Sequence, residues 1–449
     1  MSRLLHLLLF TLLFVESIFC QIKSGPMLGA IELRTAYIWC EVLPKTKVQI
    51  EYWDSNNPSK PIQLEGKITN NHNFHIVEFY LTALEPGTTY KYQLVVNKKL
   101  KSPQTTGQFS TQELWNYRKP PPDFSFLTGS CAYINEKIYD RPGKPYGGDS
   151  SIFESMSKEK AAFMLWLGDN WYYREVDYLT EWGLWYRASK DRSSPAYQNF
   201  LKAMSHYAIW DDHDFGPNNA NSSYKFKKEA KKVFDSYWCN PARDPDQEGT
   251  YTQFSYNDVE FFLMDDRTFR SSDDLKDSIN GMPNPDKAMW GAAQMNWLKN
   301  QLVNSRAPFK IIANGTPILN TYNKYDCMVH YVKEFNELIQ FIIDEQISGI
   351  LFLTGDRHHS EIIGKKLSDI YTTYEIVSSS LTAGVYKSSD YEKTNPDLLK
   401  DLFVEQNNYT RVSVTGKAKE RKLKIEFMDV KGNKLKEWEV SENQLKFAK

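Results

Sequence analysis

"GILFLTGDRHHSE", residues 349–361, opens as a continuous apolar run and then sets Asp356, Arg357, His358, His359, Ser360 and Glu361 side by side. A short unbroken apolar run reads as a strand buried on both faces, the kind found in layered α/β sheets rather than in one-sided antiparallel ones. Ionisable groups crowded at its carboxyl end then have a place to act, because ligands of such folds bind in the crevice outside the carboxyl ends of the strands.

The same layout recurs along the chain. "FSFLTGSCA" (124–132), "AAFMLWLGDNWYY" (161–173) and "HYAIWDDHDFG" (206–216) each pass from apolar residues into a polar cluster. "VEFFLMDDRTFR" (259–270), "FKIIANGTPIL" (309–319) and "YEIVSSSLTAG" (374–384) supply further runs. Helical spacing lies between them, as in Trp290, Met295, Leu298 and Leu302, so the stretch from residue 124 onward predicts an α/β layered domain. Its tail, "YTRVSVTGKAKERKLKIEFMDVKGNKLKEWEVS", alternates in period two around a Lys-Gly-Asn turn and predicts a closing C-terminal β-hairpin.

Residues 25–112 have a different rhythm. "TAYIWCEV", "KVQIEYW", "FHIVEFYL", "TTYKYQLVV" and "GQFST" alternate apolar and polar residues, and turn segments such as "DSNNPSK" and "EPGT" separate them. About seven short strands of this kind are the signature of an antiparallel β-sandwich. "LEPGTTYKYQL" resembles the tyrosine corner of fibronectin III-like domains, and the aromatic residues here read as core. "NYRKPPPDF" reads as a linker, because three successive prolines favour extended geometry. The expected organisation is a fibronectin III-like sandwich over 21–115 and an α/β domain over 124–449.

Composition narrows the function by exclusion. The 449 residues carry a formal net charge of only −1, so no general affinity for nucleic acid and no nucleic-acid-binding module is expected. "MSRLLHLLLFTLLFVESIFC" (1–20) has the layout of a secretory signal, with an apolar run too short to span a membrane. Cleavage after Cys20 predicts an exported protein, periplasmic or extracellular, with no transmembrane segment once the signal is removed. Anchoring through a lipidated Cys20 ranks second, because Phe19 is a poor fit to the small residue that such processing prefers. Cys40, Cys131, Cys239 and Cys327 permit disulfides without requiring them, and nothing in the sequence brings Cys239 and Cys327 together.

If the strand ends converge, they gather Cys131, Asp169, Tyr172, Asp212, His213, Asp356 and His358. Singly, each has a structural reading: a buried thiol, a core aromatic, a solvated carboxylate. Together they hold more negative charge than a cleft tolerates without a cation. Thiolate, phenolate, imidazole and carboxylate in one set suit an Fe3+-type ion beside a harder, oxygen-preferring ion such as Ca2+. A binuclear site of this composition is suited to polarising a phosphoryl oxygen and activating water, and His213 is then the candidate acid for a leaving alkoxide.

At this point the motifs become familiar. "GSC" (129–131), "LGDNWY" (167–172), "WDDHDFG" with its following "NN" (210–219), "LMDDRTFR" (263–270), "AAQMNWLKNQL" (292–302) and "TGDRHHSE" (354–361) resemble, in order, the motifs of PhoD-type alkaline phosphatases of the metallophosphoesterase superfamily. The resemblance implies a four-layered αββα metallophosphoesterase core behind the sandwich, with 124–449 as the catalytic domain. It also implies hydrolysis of phosphate monoesters or diesters through a metal-activated water or hydroxide, with Fe3+ and Ca2+ as metals and no obligate protein partner. Carried over position by position, it makes Cys131, Asp169, Tyr172, Asp212, Asn218, Asp356 and His358 metal ligands, with Asp169 bridging. His213 becomes the catalytic histidine and Arg267 a phosphate contact. Arg357 either steers phosphate or pairs with a carboxylate, and His359, Ser360 and Glu361 orient the ligands. Two departures remain: Gly216 and Pro217 precede the Asn pair, leaving Asn218 and Asn219 open, and Tyr173 stands beside Tyr172.

Two other readings fit parts of the sequence. A phospholipase C-like diesterase on the same scaffold would use the aromatic stretch 171–186 as an apolar rim. A cell-surface binding protein would use the sandwich and its aromatic residues, but has no need of clustered metal-ligand types.

Overall fold

The computed structural model describes residues 21–97 and 105–447, so the export signal expected at 1–20 lies outside the described residues. The chain forms two compact units. One comprises the residues up to Leu114 together with Ser189–Ser205, and the other Trp115–Ala188 with His206–Lys449.

In the first unit, alternating side chains build two antiparallel sheets. One contains Ile22–Ile31, Ala36–Val42, Phe74–Leu81 and Lys67–Asn71 in that order, and the other Ile62–Glu65, Val48–Asp54, Thr89–Val96 and Thr106–Ser110. Val48, Ile50 and Tyr52 are buried while Gln49 and Glu51 between them are not, which is the period-two pattern of a half-buried strand. Ile38, Ile50, Val77, Phe79, Tyr92 and Leu94 share one core. The Tyr90 hydroxyl accepts the Glu85 N–H at 2.9 Å, closing the corner that "LEPGTTYKY" predicts. The helix Pro195–Ala203, distant in sequence, belongs to this unit: Ser24 donates its hydroxyl to the Arg192 carbonyl at 2.8 Å, and Gln198 accepts the Gly25 N–H at 3.0 Å.

In the second unit the apolar runs become two sheets. The first has the order Lys434–Ser441, Lys422–Asp429, Asn408–Thr415, Phe124–Gly129, Phe163–Leu167, Ser205–Ile209. The second runs Thr252–Tyr256, Val259–Leu263, Phe309–Asn314, Ile350–Thr354, Tyr371–Val377, Glu361–Ser368. Aromatic rings join their facing sides: Phe126 meets Phe261 edge-on at 5.3 Å, Phe163 meets Phe254 at 5.5 Å, and Tyr207 stacks on Phe254 at 3.9 Å. The opposite faces take helices. Trp166, next but two to Phe163 and on the other side of its strand, packs against Phe153 of Ile152–Ser157 and against Trp238 just beyond Lys227–Tyr237. Met295, Leu298 and Leu302 of Gly291–Asn304 and Leu338 and Ile342 of Val332–Asp344 pack on Phe262, Ile312 and Phe352 of the second sheet. The result is the αββα order expected from the motifs.

The C-terminal tail differs from a simple hairpin. Asn408–Thr415 pairs on one side with Lys422–Asp429 and on the other with Phe124–Gly129, so three strands extend the first sheet. The reason is the alternation of buried Thr410, Val412 and Val414, which needs cover on the same face as Phe126.

One helix start is satisfied from a distance. Gly291–Asn304 has no side-chain cap of its own, and Glu334 accepts the N–H groups of Met289, Trp290 and Gly291 at 2.7, 2.9 and 2.8 Å. Removing this buried acceptor leaves donors unpaired at a helix N-terminus, which costs about 2–3 kcal/mol. Glu334→Ala should therefore lower the urea midpoint with an unchanged slope; an unaltered midpoint would refute the capping role.

Candidate metal centre

The strands bring their carboxyl ends together because glycines let the backbones touch. A Cβ on Gly168 would lie 2.6 Å from the Asp211 Cβ, and one on Gly355 would lie 2.6 Å from the Leu167 carbonyl oxygen and from the Ser130 Cβ. Each of the residues that follow turns sharply. Cys131, Asp169, Asp356 and His358 all hold left-handed backbone, with φ of 61°, 54°, 65° and 56°. Non-glycine residues in this region cost of order 1–3 kcal/mol each and persist where surrounding structure imposes them, commonly at functional sites.

Those turns aim the side chains at one another. Donor atoms of Cys131, Asp169 and His358 lie within 4.8 Å of each other, and so do those of Asp169, Asp212 and His213, so Asp169 belongs to both groups. The Cys131 Sγ is 3.5 Å from Asp169 Oδ2. Tyr172, three residues on, donates its hydroxyl to that same oxygen at 2.8 Å and lies 3.2 Å from His358 Nε2. The other Asp169 oxygen accepts the His213 backbone N–H at 3.2 Å. His358 Nδ1 is 2.6 Å from the Gly384 carbonyl, which only a protonated nitrogen can satisfy, so Nε2 keeps its lone pair toward the cluster. His213 sits in the short helix Asp212–Phe215, whose start is held by reciprocal bonds between Asp211 and Asp214. Its ring lies tilted against Tyr172 with centroids 4.1 Å apart.

Electrostatically the cluster is under-compensated. Burial and the nearby Cys131, Asp212, Asp214 and Asp356 push the Asp169 carboxyl well above the usual carboxylate range. Burial, then Asp326 and Asp212, raise Asp356 to about 6, and burial raises Cys131 to about 12. Burial also favours Asp212's neutral form, but His213 and Arg267 outweigh it and hold that carboxyl below its ordinary value. His213 and His358 are lowered by burial, and in His358 the neutral form this favours is the metal-binding one. Asp212 Oδ1 and His213 Nδ1 are buried without a hydrogen-bond partner. Repelling carboxylates, neutral imidazoles, a thiol and orphaned donor atoms are the inventory that cations would complete.

The remaining expected residues fall in different places. Asn218 and Asn219 are both exposed; the Asn219 N–H donates to Asp212 Oδ2 at 2.6 Å, and the Asn218 amide donates to the Asn219 side chain at 2.6 Å. Tyr172 stands in the cluster, whereas the buried Tyr173 has its hydroxyl away from it and without a partner. Arg267 is positioned differently from a residue that meets substrate. It is fully buried, bonded to Asp211 at 2.7 Å, Asp326 at 2.9 Å and Thr316 at 3.1 Å, and so braces the segment carrying Asp212 from behind. Arg357 pairs with Glu392, resolving its two readings toward carboxylate pairing. Ser360 and Ser379 bond one another, and Ser379 donates to the Cys131 Sγ at 3.2 Å. His359 and Glu361 face each other at 3.6 Å.

Three contributors had no sequence signal strong enough to single them out. Ser379 lies in the triple serine that ends the run 374–384. Tyr146 comes from a loop, with its hydroxyl 3.2 Å from His358 Nδ1. Asp214 accepts the Asn170 N–H at 2.8 Å, and burial raises it to about 7.

With this geometry established, comparisons give it a context. The PhoD-like phosphatase family model matches residues 126–431, and a domain of unknown function, DUF7800, matches 20–114. Alkaline phosphatase D of Bacillus subtilis (strain 168) is 25% identical over 396 residues, covering 76% of this chain; the chain spans 64% of that relative's length. Among solved structures, one of PhoD superposes with a TM-score of 0.78 at 18% identity over 96% of this chain and 92% of that one. The purple acid phosphatase PPD1 from yellow lupin (Lupinus luteus) seeds superposes with a TM-score of 0.67 at 10% identity, covering 93% of this chain and 74% of that one. These two likenesses establish the fold.

Because Asp169 belongs to both donor groups, Asp169→Asn should lower metal content at both, read by elemental analysis after dialysis; full metal retention would refute the shared position.

Proposed function

Since the chain belongs to the PhoD-like phosphatase family, we propose that it is an exported, metal-dependent phosphoesterase acting on phosphate monoesters or diesters, with Fe3+ and Ca2+ as its metals. The observation that carries this reading is the sharing of Asp169 between two donor groups, the arrangement a binuclear centre needs. Cys131, Asp169, Tyr172 and His358 would hold the softer ion, and Asp169, Asp212 and Asp356 the harder one, with Asn218 or Asn219 drawn in from the rim. Metals held there supply charge for a phosphoryl oxygen and an acidified water as nucleophile.

This chain's residues do the rest. Gly384 keeps His358 in the tautomer that presents Nε2, and Ser130 and Ser379, at 3.3 and 3.2 Å, hold the Cys131 sulfur. His213 gives a proton to the leaving oxygen. Its Nε2 is 4.0 Å from Asp212, whose carboxylate offsets part of the burial penalty on the charged ring. Arg267 contributes by holding Asp211 rather than by touching phosphate.

A second reading has one observation in its favour. Much of the aromatic stretch 171–186 is core, Trp171, Tyr173 and Trp185 among it, but Val176, Leu179 and Trp182 are exposed at 55, 58 and 52%, as is Ile138 at 78%. Such an edge suits lipid phosphodiesters, the phospholipase C-like alternative. Turnover of phosphatidylcholine vesicles far above bis-p-nitrophenyl phosphate, abolished by Leu179→Glu with Trp182→Glu, would favour it.

The primary test is elemental analysis of the purified protein alongside hydrolysis of p-nitrophenyl phosphate and bis-p-nitrophenyl phosphate, with and without added Ca2+. Tightly bound iron and Ca2+-stimulated turnover are expected; neither metal nor turnover after reconstitution would overturn the proposal. His213→Asn should retain metal and lose roughly 10²–10⁴-fold in kcat. The loss should be larger for an alkyl ester than for p-nitrophenyl phosphate, whose leaving group needs no proton. Equal losses on both would remove His213 from the acid role.

A further inference from the structure

Beside the candidate metal centre lies a cavity of about 640 Å³. Its lining includes Asn218, Asp356 and His358 together with Tyr325, Arg357 and Tyr386. A phosphate group alone needs far less room, so the space beyond Asp356 is available to whatever the phosphate is esterified to; pockets of this size hold ligands as large as drug molecules.

The Tyr325 part of this lining has a definite chemistry. The Arg357 guanidinium lies over the Tyr325 ring at 5.1 Å and over the Tyr386 ring at 5.2 Å, and the two rings meet edge-on at 5.9 Å. Arg357 is held beside this ring pair by its pairing with Glu392, and the Tyr386 hydroxyl reaches the same carboxylate at 3.3 Å. The charge of Arg357 is therefore already matched, and the group acts as a rigid planar filler rather than as a free phosphate clamp. Tyr325 is left 56% exposed. A tyrosine pinned from one side by an ordered cation, with the rest of its surface facing a cavity, is a preformed platform: it loses little side-chain freedom when a second ring lies on it.

We propose that Tyr325, backed by Arg357 and Tyr386, forms a leaving-group subsite that selects phosphate esters of planar, aromatic groups over esters of small alkyl alcohols. This rests on the phosphoesterase reading and names its substrate class. Three of the other acidic side chains in the cavity are ion-paired: Asp326 with Arg267 and Arg270, Asp273 with Arg270, and Asp277 with Lys287 and His330.

The test is calorimetric binding of phenylphosphonate and methylphosphonate to the full-length protein, to Tyr325→Ala and to Tyr325→Phe. The wild type should bind phenylphosphonate about tenfold more tightly than methylphosphonate, as one ring-stacking interaction supplies. Tyr325→Ala should abolish that preference without weakening methylphosphonate, and Tyr325→Phe should keep it. Equal affinities in the wild type, or a preference surviving in Tyr325→Ala, would overturn the subsite. Hydrolysis of p-nitrophenyl phosphate by the same preparations separates the two ideas: an inactive wild type that still prefers phenylphosphonate counts against the phosphoesterase reading and leaves the subsite standing.

Discussion

Repulsion among buried anionic groups is the constraint on which the rest of this structure depends. Asp169 is surrounded by Cys131, Asp212, Asp214 and Asp356, each of which disfavours its ionised form. A polypeptide does not bring such groups together without compensation, because an uncompensated buried charge costs several kcal/mol. Here the backbone itself is bent to do so. Three strand ends place four non-glycine residues in left-handed conformations, and two glycines allow approaches that no side chain would permit. Strain and repulsion both point inward, and bound cations would relieve the second.

The support beneath the cluster is ionic as well. Arg267 and Arg270 are completely buried and share Asp326, and Arg267 also binds Asp211. Buried guanidinium groups are tolerated where their fixed fork of donors meets carboxylates. This network ties the segment before Asp212 to the loop carrying Tyr325 and Asp326, so the clustered carboxylates and the Tyr325 platform share one base. Arg357 repeats the device on a smaller scale, matched by Glu392 and flanked by two tyrosines.

Much of the fold was legible in the residues. Continuous apolar runs such as "ILFLT" and "FMLWL" are buried along their whole length, and the spacing of Met295, Leu298 and Leu302 does put one helical face into the core. Alternation in Val48, Ile50 and Tyr52 marked the sandwich just as directly. Less visible were features that depend on residues far apart: the Glu334 cap on a helix more than forty positions upstream, the tail strand that pairs with Phe124–Gly129, and the segment 189–205 that packs with the sandwich.

At the site, residue types and spacing were enough to nominate Cys131, Asp169, Tyr172, Asp212, His213, Asp356 and His358, because each follows a strand end and bears a metal-binding atom. Their chemistry is local, and a motif records local chemistry. Only the tertiary structure decided which of them meet. It brought Asp169 into both donor groups, separated Tyr172 from Tyr173, turned Arg267 inward to Asp211, and paired Arg357 with Glu392 beside two tyrosines. Those outcomes depend on distances between strands whose order in space is not their order in the chain, and on which charge reaches which partner first once water is excluded.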